Sequence, residues 1–339
     1  MLRLFLRGKI KNGAASVRLR CFAMTLEYFS TFYFVYPALC VAAFFILFFV
    51  LRGRSKKTVF WVLFALLAVN FVLHFVKLAF PPYVDGLPGT IRKATFENIC
   101  AVSTLVFPFL MLSKKPLLWD YMFYIGVISG FAAMFVPLNI VGLGVFEFET
   151  IRFYICHGSL WIAPLLMVLL KVHTLNYRRV FKVILLYFAC LFLILFNEIV
   201  LMVIGWVAPP ESFEGTLWDY FLSNVERNSG FIFGPPPELE QIAQFLLVLT
   251  PSFFKPGKYI DVYMPVLWEV VPVLIYGMIG GMAISAIWDH KRMAEDIAKV
   301  KAYFGKKFKR ARLARAKSRF AKPVFGSGKR LRRAKLNRF

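Results

Sequence analysis

Acidic residues are scarce in this 339-residue sequence: Lys and Arg number 42 and Asp and Glu only 18, which gives a formal net charge of +24. Cysteine is also scarce, and the five cysteines are scattered and odd in number. They therefore exclude a disulfide framework, and they lack the close spacing of a zinc site. HExxH and His-x-His spacings are absent too, so the sequence predicts no bound metal ion and no other cofactor.

Apolar residues dominate instead, with 59% hydrophobic and 18% aromatic residues and a mean hydropathy of +0.65. A soluble protein would expose much of this surface to water, so the composition predicts an integral membrane protein. Seven apolar runs are each long enough to cross a hydrocarbon core about 30 Å thick. The fold class that we expect is all-α, a polytopic membrane bundle of about seven transmembrane helices. These runs lie at roughly 31–51, 59–80, 97–112, 117–138, 152–170, 180–207 and 263–288.

Charges between the runs predict the orientation, because loops rich in Lys and Arg face the cytoplasm. The connections after the first, third and fifth runs are basic, whereas the alternate ones are poorer in Lys and Arg or carry acids. This pattern puts the N-terminus outside and the C-terminus in the cytoplasm. We expect a multi-pass protein of the cell membrane. The basic connections contain Arg52, Arg54, Lys56, Lys57, Lys114, Lys115, Lys171, Arg178, Arg179 and Lys182.

The start of the chain disagrees with this orientation, since residues 1–26 contain six basic residues and no acid. This segment is either a targeting peptide that is removed or an upstream extension of a protein whose translation begins at Met24. We favour the second explanation. The domains that follow are a basic N-terminal segment at 1–30, a membrane domain at 31–288 with a long outer loop at 208–262, and a basic cytoplasmic tail at 289–339.

The tail predicts a basic amphipathic helix from about 291 to 320, with Ile297, Val300, Phe304 and Phe308 on one side. Such a helix suits the surface of the cytoplasmic leaflet, so anionic lipid headgroups are its expected partners. Nucleic acid is the less favoured partner, because no recognised nucleic-acid-binding fold accompanies the charge.

Polar residues within the apolar runs are the candidate functional groups, since each costs free energy in lipid unless it has a partner or a function. On the predicted topology five helices carry such groups in one layer near the outer interface, whereas Asp120 lies near the cytoplasmic end. An asparagine in such a place is more often a hydrogen bond between helices, but an ionisable residue justifies a functional hypothesis. The layer contains Asn70, His74, Glu97, Asn98, Cys100, Arg152, Cys156, His157, Asn197, Glu198 and Glu269.

A cysteine and a histidine at one depth can form a thiolate–imidazole pair, in which the histidine acts as a base and a carboxylate orients it. A proton or ion pathway is the other chemistry that such a layer supports, although a relay usually extends across the membrane.

Several short motifs resemble the YwaF-like family of integral membrane proteins, which includes transmembrane protein 164-type acyltransferases. The likeness covers roughly residues 30 to 285, without much of the long outer loop. The motifs are Asn98-Ile99-Cys100, Phe107-Pro108-Phe109-Leu110, Arg152-Phe153, Cys156-His157-Gly158, Asn176-Tyr177-Arg178, Asn197 and Trp268-Glu269.

The resemblance implies a membrane-embedded acyltransferase, in which a cysteine takes an acyl chain from a phospholipid and passes it to a lysophospholipid. The matching cysteine and histidine are Cys100 and His157. The family usually has a histidine in a Leu-Pro-Leu-His-Leu-Cys-like run, whereas this chain has Thr-Phe-Glu-Asn-Ile-Cys at 95–100. This departure leaves the identity of the substrate open.

The other residues of the layer receive supporting roles in this hypothesis. Glu269 or Glu198 orients His157, and Asn98 or Asn70 donates to the developing oxyanion. Arg152 supplies the cation that a buried thiolate needs. His74 and Asn197 complete the substrate-binding set.

The leading hypothesis is therefore a lipid acyltransferase or lipid ester hydrolase whose site opens to the outer leaflet, with membrane lipids as acyl donor and acceptor. The alternative is a non-enzymatic membrane scaffold or a small-solute transporter, although the sequence shows no convincing internal repeat of the kind that many transporters have. The third and fifth helices must be neighbours if Cys100 and His157 form a pair.

Overall fold

A computed structural model describes residues 24–86, 89–206, 214–222, 231–235, 240–257 and 262–320. These ranges are helical, apart from turns, loops and an isolated antiparallel bridge between Thr25 and Gly144. The predicted all-α membrane bundle is therefore confirmed, with six helices long and apolar enough to span a membrane and a shorter apolar one. The orientation of the termini stays a prediction.

Ten α-helices follow one another along the described chain. They are α1 (Thr31–Leu51), α2 (Lys56–Val76), α3 (Ile99–Ser113), α4 (Pro116–Phe135), α5 (Phe148–Leu169), α6 (Val180–Val203), α7 (Leu217–Leu222), α8 (Glu240–Leu249), α9 (Leu267–Trp288) and α10 (His290–Phe320).

Some predicted segments fall on residues that the structure does not describe. Most of the basic N-terminal segment, parts of the long outer loop and the end of the tail lie outside the described residues. The chain divides into two compact units between Trp288 and Asp289. In the second unit α10 exposes the predicted apolar row, and Phe308 is 72% exposed.

The start of α3 and the turn into α4 are fixed by local chemistry. Asn98 has an extended backbone, and its side-chain oxygen accepts a hydrogen bond from Ala101 N at 2.8 Å, as an N-cap does. Lys114 ends α3 in the left-handed conformation (φ 54°), and Pro116 begins α4 in the first turn, where its missing N–H costs nothing. As a result α3 and α4 are antiparallel, and Cys100 lies near the N-terminus of α3.

The most buried spanning helix is α5, which packs against α1, α2, α3 and α4. Its contact with α4 is close because Gly126 and Gly130 lie one turn apart and present no side chain. A Cβ atom on Gly126 would lie 2.4 Å from the Leu160 carbonyl oxygen and 2.8 Å from the Phe107 ring. Since Phe107 belongs to α3, the third and fifth helices are neighbours, which the Cys100–His157 hypothesis requires.

A buried carboxylate ties the connection between α5 and α6 to α4. Asp120 is fully buried and accepts hydrogen bonds from His173 Nε2 at 2.7 Å and from Arg179 Nη2 at 3.0 Å. A charge buried without such partners would cost several kcal/mol. Asp120, near the start of α4, is therefore held by two partners from the connection between α5 and α6.

Gly126→Ala is expected to destabilise the bundle by about 1–3 kcal/mol, because the added methyl group overlaps a backbone oxygen that cannot move alone. Gly280→Ala in α9 is the matched control, since no atom lies within 4 Å of its added Cβ. Thermal unfolding in one detergent would compare the two variants with the wild type. Equal unfolding temperatures for both variants would contradict the close α4–α5 contact.

Candidate functional site

Two rows of polar side chains meet where α2 packs against α5. Asn70, His74 and Lys77 share one face of α2 and the turn after it, with i, i+4, i+7 spacing. Glu149, Arg152 and Cys156 form a similar row on α5, with i, i+3, i+7 spacing. All six residues are buried. We call them the polar cluster.

The centre of the polar cluster is a bidentate ion pair. Arg152 Nε donates to Glu149 Oε2 at 2.6 Å, and Arg152 Nη2 donates to Glu149 Oε1 at 2.5 Å. Tyr83 also donates its hydroxyl proton to Glu149 Oε1, at 2.8 Å. Burial and then the Glu149 charge raise the pKa of Tyr83 above its ordinary value, so the phenol stays a donor.

Arg152 was predicted to stabilise the Cys100 thiolate, but it contacts the thiol of Cys156. Arg152 Nη1 lies 3.5 Å from Cys156 Sγ, and Asn70 Nδ2 donates to the Cys156 carbonyl oxygen at 3.2 Å. Arg152 contacts Cys156 because residues four apart on one helix share a face, and its role beside Cys100 stays a prediction. The spacing of four residues between Arg152 and Cys156 was visible in the sequence. Asn70 is likewise committed to a backbone oxygen.

Cys100 lies in the first turn of α3 and faces α4. Its thiol lies near the Ser129 side chain and near Tyr121, both of α4. Ser129 itself donates to the Ile125 carbonyl oxygen at 2.6 Å. The N-terminal end of a helix carries a positive potential that favours an anion such as a thiolate.

His157 lies on the α5 face that contacts α4. Its Nδ1 is 2.8 Å from the Phe153 carbonyl oxygen. A carbonyl can only accept, so Nδ1 carries the proton and Nε2 keeps a lone pair. The His157 carbonyl oxygen lies 2.8 Å from the Cβ position of Gly130, the residue after Ser129. Cys100 and His157 thus border adjacent residues of α4, although within the described ranges no hydrogen bond joins them.

The hydrogen-bond partner of His157 Nδ1 lies in its own helix. A backbone carbonyl takes the position at Nδ1 that was expected for Glu269 or Glu198. Glu269 instead accepts a hydrogen bond from Tyr187 at 3.3 Å. Glu198 is buried on α6. A helix offers the carbonyl of residue i−4 to any side chain that can reach back to it, and an orienting role of Glu269 or Glu198 stays a prediction.

The two remaining asparagines hold the backbone near Cys100. Asn98 caps α3 with its side-chain oxygen, and Asn197 Nδ2 donates to Thr95 Oγ1 at 3.0 Å, which ties α6 to the segment before α3. Lys77, Tyr83 and Glu149 belong to the site but were not predicted. The i+7 spacing of Lys77 from Asn70 was the available signal, but it fell at the uncertain end of a predicted helix.

An apolar groove of about 300 Å³ runs between α1, α2 and α5. It reaches Gly158, the residue after His157, where a Cβ atom would lie 3.1 Å from Cys40 Sγ. Its polar lining is minimal, so it suits a hydrocarbon chain rather than a polar solute. The groove is lined by Tyr36, Leu39, Cys40, Ala43, Leu47, Leu66, Ile151, Tyr154, Ile155, Gly158, Ser159 and Ile162.

The family model of the TMEM164 family matches residues 28–223, which is more than half of the chain. This chain belongs to the TMEM164 family. The predicted resemblance is confirmed at the level of the family, and the match contains Cys100, His157 and the polar cluster but not Glu269 or α10. No curated protein and no solved structure matches the chain. Family and helices together identify a multi-pass integral membrane protein.

Arg152→Met is expected to destabilise the protein by about 3–5 kcal/mol, because the Glu149 charge then stays buried with only Tyr83 as its donor. The double variant Glu149→Gln/Arg152→Met should lose less stability than the single variant, since the double variant buries no uncompensated Glu149 charge. Unfolding measurements in detergent micelles would provide both values.

Arg292→Met is the control, since Arg292 pairs with Asp289 at 3.0 Å and its side chain is 41% exposed. Such a partly exposed pair contributes little. If Arg152→Met were no more damaging than Arg292→Met, the Glu149–Arg152 pair would not be a buried ion pair.

Proposed function

We propose that this protein is a membrane-embedded lipid acyltransferase or lipid ester hydrolase with Cys100 as nucleophile and His157 as general base. One observation carries the proposal: Cys100 and His157 border the adjacent residues Ser129 and Gly130, from α3 and from α5. The mechanism requires a side-chain rotation or a small helix shift on substrate binding that brings the thiol and the imidazole together. Catalytic hydrogen bonds are often long in the absence of substrate.

The tautomer of His157 supports its role as a base. Its Nδ1 proton is held by the Phe153 carbonyl oxygen, which leaves the Nε2 lone pair as the group that can accept a proton. The carbonyl performs the orienting task that a carboxylate performs in other triads. Glu269 and Glu198 are therefore not required for this chemistry.

Acyl transfer proceeds in two steps in this proposal. The Cys100 sulfur attacks the ester carbonyl carbon of a phospholipid while its proton passes to His157 Nε2. The tetrahedral intermediate collapses with loss of the lysophospholipid oxygen, which takes the proton back from the imidazolium. The hydroxyl of a second lysophospholipid, or water, then attacks the thioester, and His157 moves its proton to the departing sulfur.

The first turn of α3 supports stabilisation of the oxyanion. The first N–H groups of a helix have no intrahelical acceptor, and those of Ile99 and Cys100 lie beside the thiol. The Asn98 amide nitrogen is an additional donor, because the cap uses only the side-chain oxygen of Asn98. Donors fixed at this point can stabilise the developing charge without reorganisation.

The surroundings of the site suit membrane lipids as donor and acceptor. The apolar groove beside Gly158 has a lining that fits an acyl chain, and the ester would lie at its end near His157. We keep the cell membrane as the proposed location and the outer leaflet as the side from which lipid enters.

Anionic headgroups are the proposed partner of α10. Between His290 and Phe320 twelve Lys and Arg residues accompany only two acids, and the apolar row of Ile297, Val300, Phe304 and Phe308 is exposed. An apolar face flanked by cations fits an anionic lipid surface better than it fits nucleic acid.

Cys100→Ala is expected to abolish transfer of a labelled acyl chain between phospholipids in nanodiscs, and His157→Gln to slow it by about 10²–10⁴-fold. Cys190→Ser is the control, because it removes another half-buried thiol but keeps an oxygen acceptor for Tyr121. It should transfer the label at the wild-type rate.

Undiminished transfer by folded Cys100→Ala would exclude this nucleophile. If the wild type turned over no lipid from a broad panel, and neither substitution changed the phenotype of cells, a scaffold or small-solute transporter would be favoured. In that case the polar residues of the bundle serve helix packing.

A further inference from the structure

Lys77 is the least satisfied charge in the polar cluster. The residue is 4% exposed and its ammonium group lies 5.3 Å from the centre of the Tyr83 ring. Among the residues that the structure describes, none forms a hydrogen bond or an ion pair with this ammonium group. Burying a cation costs free energy that a counter-ion must offset, and ionisable residues inside a membrane protein commonly mark functional sites.

The nearby carboxylates are already engaged. Glu149 forms the bidentate pair with Arg152, and Glu97 lies 2.9 Å from the Lys93 ammonium group. Three cations, Lys77, Lys93 and Arg152, therefore share two carboxylates. The surplus is one positive charge, which a bound anion would neutralise.

Two further buried atoms in the polar cluster have no partner among the described residues, His74 Nε2 and Asn70 Oδ1. His74 lies near the Ala94 carbonyl oxygen, Lys77 and Arg152. Both unpartnered atoms are acceptors, which a buried water can satisfy as a donor. A water would not neutralise Lys77, so the charge of Lys77 is what calls for an anion.

The position of the cluster identifies the class of anion. Lys77 follows the last residue of α2, and Arg152 lies in the second turn of α5, so both cations are near helix ends on the predicted outer side. Lipid phosphate groups occupy that depth of a bilayer. His157 interacts electrostatically with Arg152 and Lys77, and the phosphate of a phospholipid is only a few bonds from its esters.

We propose that Lys77 and Arg152 bind the phosphate of a phospholipid headgroup and so position its ester near Cys100 and His157. This assignment deepens the proposed function and rests on it. Lys77 is a positioning residue, because it contacts the headgroup and not the reacting carbon. Inorganic phosphate has the same chemistry, so the test must distinguish the two sources.

The test measures binding to the full-length Cys100→Ala protein, which has no nucleophile at this position. The probes are short-chain diacyl phosphatidylglycerol, the matching diacylglycerol without phosphate, and inorganic phosphate, each added to detergent-solubilised protein. Calorimetric titration gives the affinities. We expect phosphatidylglycerol to bind at least tenfold more tightly than diacylglycerol, since a charge-assisted hydrogen bond is lost with the phosphate.

Lys77→Met added to this protein should weaken phosphatidylglycerol binding about tenfold or more, whereas Lys77→Arg should retain it. Lys56→Met, at the exposed first residue of α2, is the control and should bind as the parent does. Removal of an unpaired buried cation should leave the unfolding temperature without ligand unchanged or higher. A lower unfolding temperature would mean that Lys77 is structural, and it would overturn the site.

The remaining outcomes distinguish a lipid headgroup from inorganic phosphate as the ligand, and they distinguish the phosphate site from the proposed enzyme activity. Binding of inorganic phosphate without competition from phosphatidylglycerol would overturn the headgroup assignment, as would equal binding of phosphatidylglycerol and diacylglycerol. A protein that transfers no acyl chain but binds phosphatidylglycerol through Lys77 would refute only the proposed enzyme activity. Transfer at the wild-type rate by Lys77→Met would refute only the phosphate site.

Discussion

Two glycines one turn apart, Gly126 and Gly130, let α4 approach α5 so closely that no Cβ atom fits between them. In lipid the hydrophobic effect does not drive helices together, so close backbone packing of this kind carries much of their association. The contact puts α5 in the middle of the bundle, where it also meets α1, α2 and α3. Each of these neighbours then contacts a different face of α5.

The faces of α5 carry different side chains, and each face packs against a different neighbouring helix. The face towards α4 carries His157 and the face towards α2 carries Glu149, Arg152 and Cys156, while the face towards α1 borders the apolar groove. A single helix therefore contributes the proposed base, the proposed headgroup site and part of the proposed acyl-chain groove. Their relative positions along α5 are fixed by helix geometry and not by flexible loops.

The membrane class and the helices were predictable because each spanning helix must bury about twenty residues in hydrocarbon, and such runs are visible in one dimension. The rise per residue also predicts one common depth for the polar residues, which stays a prediction. Their partners were not predictable. Arg152 was expected beside Cys100 but contacts Cys156, and Glu269 was expected near His157 but contacts Tyr187.

The reason is that depth fixes only one coordinate of a side chain, whereas its direction around the helix depends on which neighbour each face meets. The sequence by itself determined a multi-pass all-α membrane protein, its approximate helices and the family motif around Cys100 and His157. Only the tertiary structure decided that these two residues border Ser129 and Gly130, and that Lys77 is buried beside the Tyr83 ring. Both facts arise from packing between segments far apart in the chain, which local periodicity does not encode.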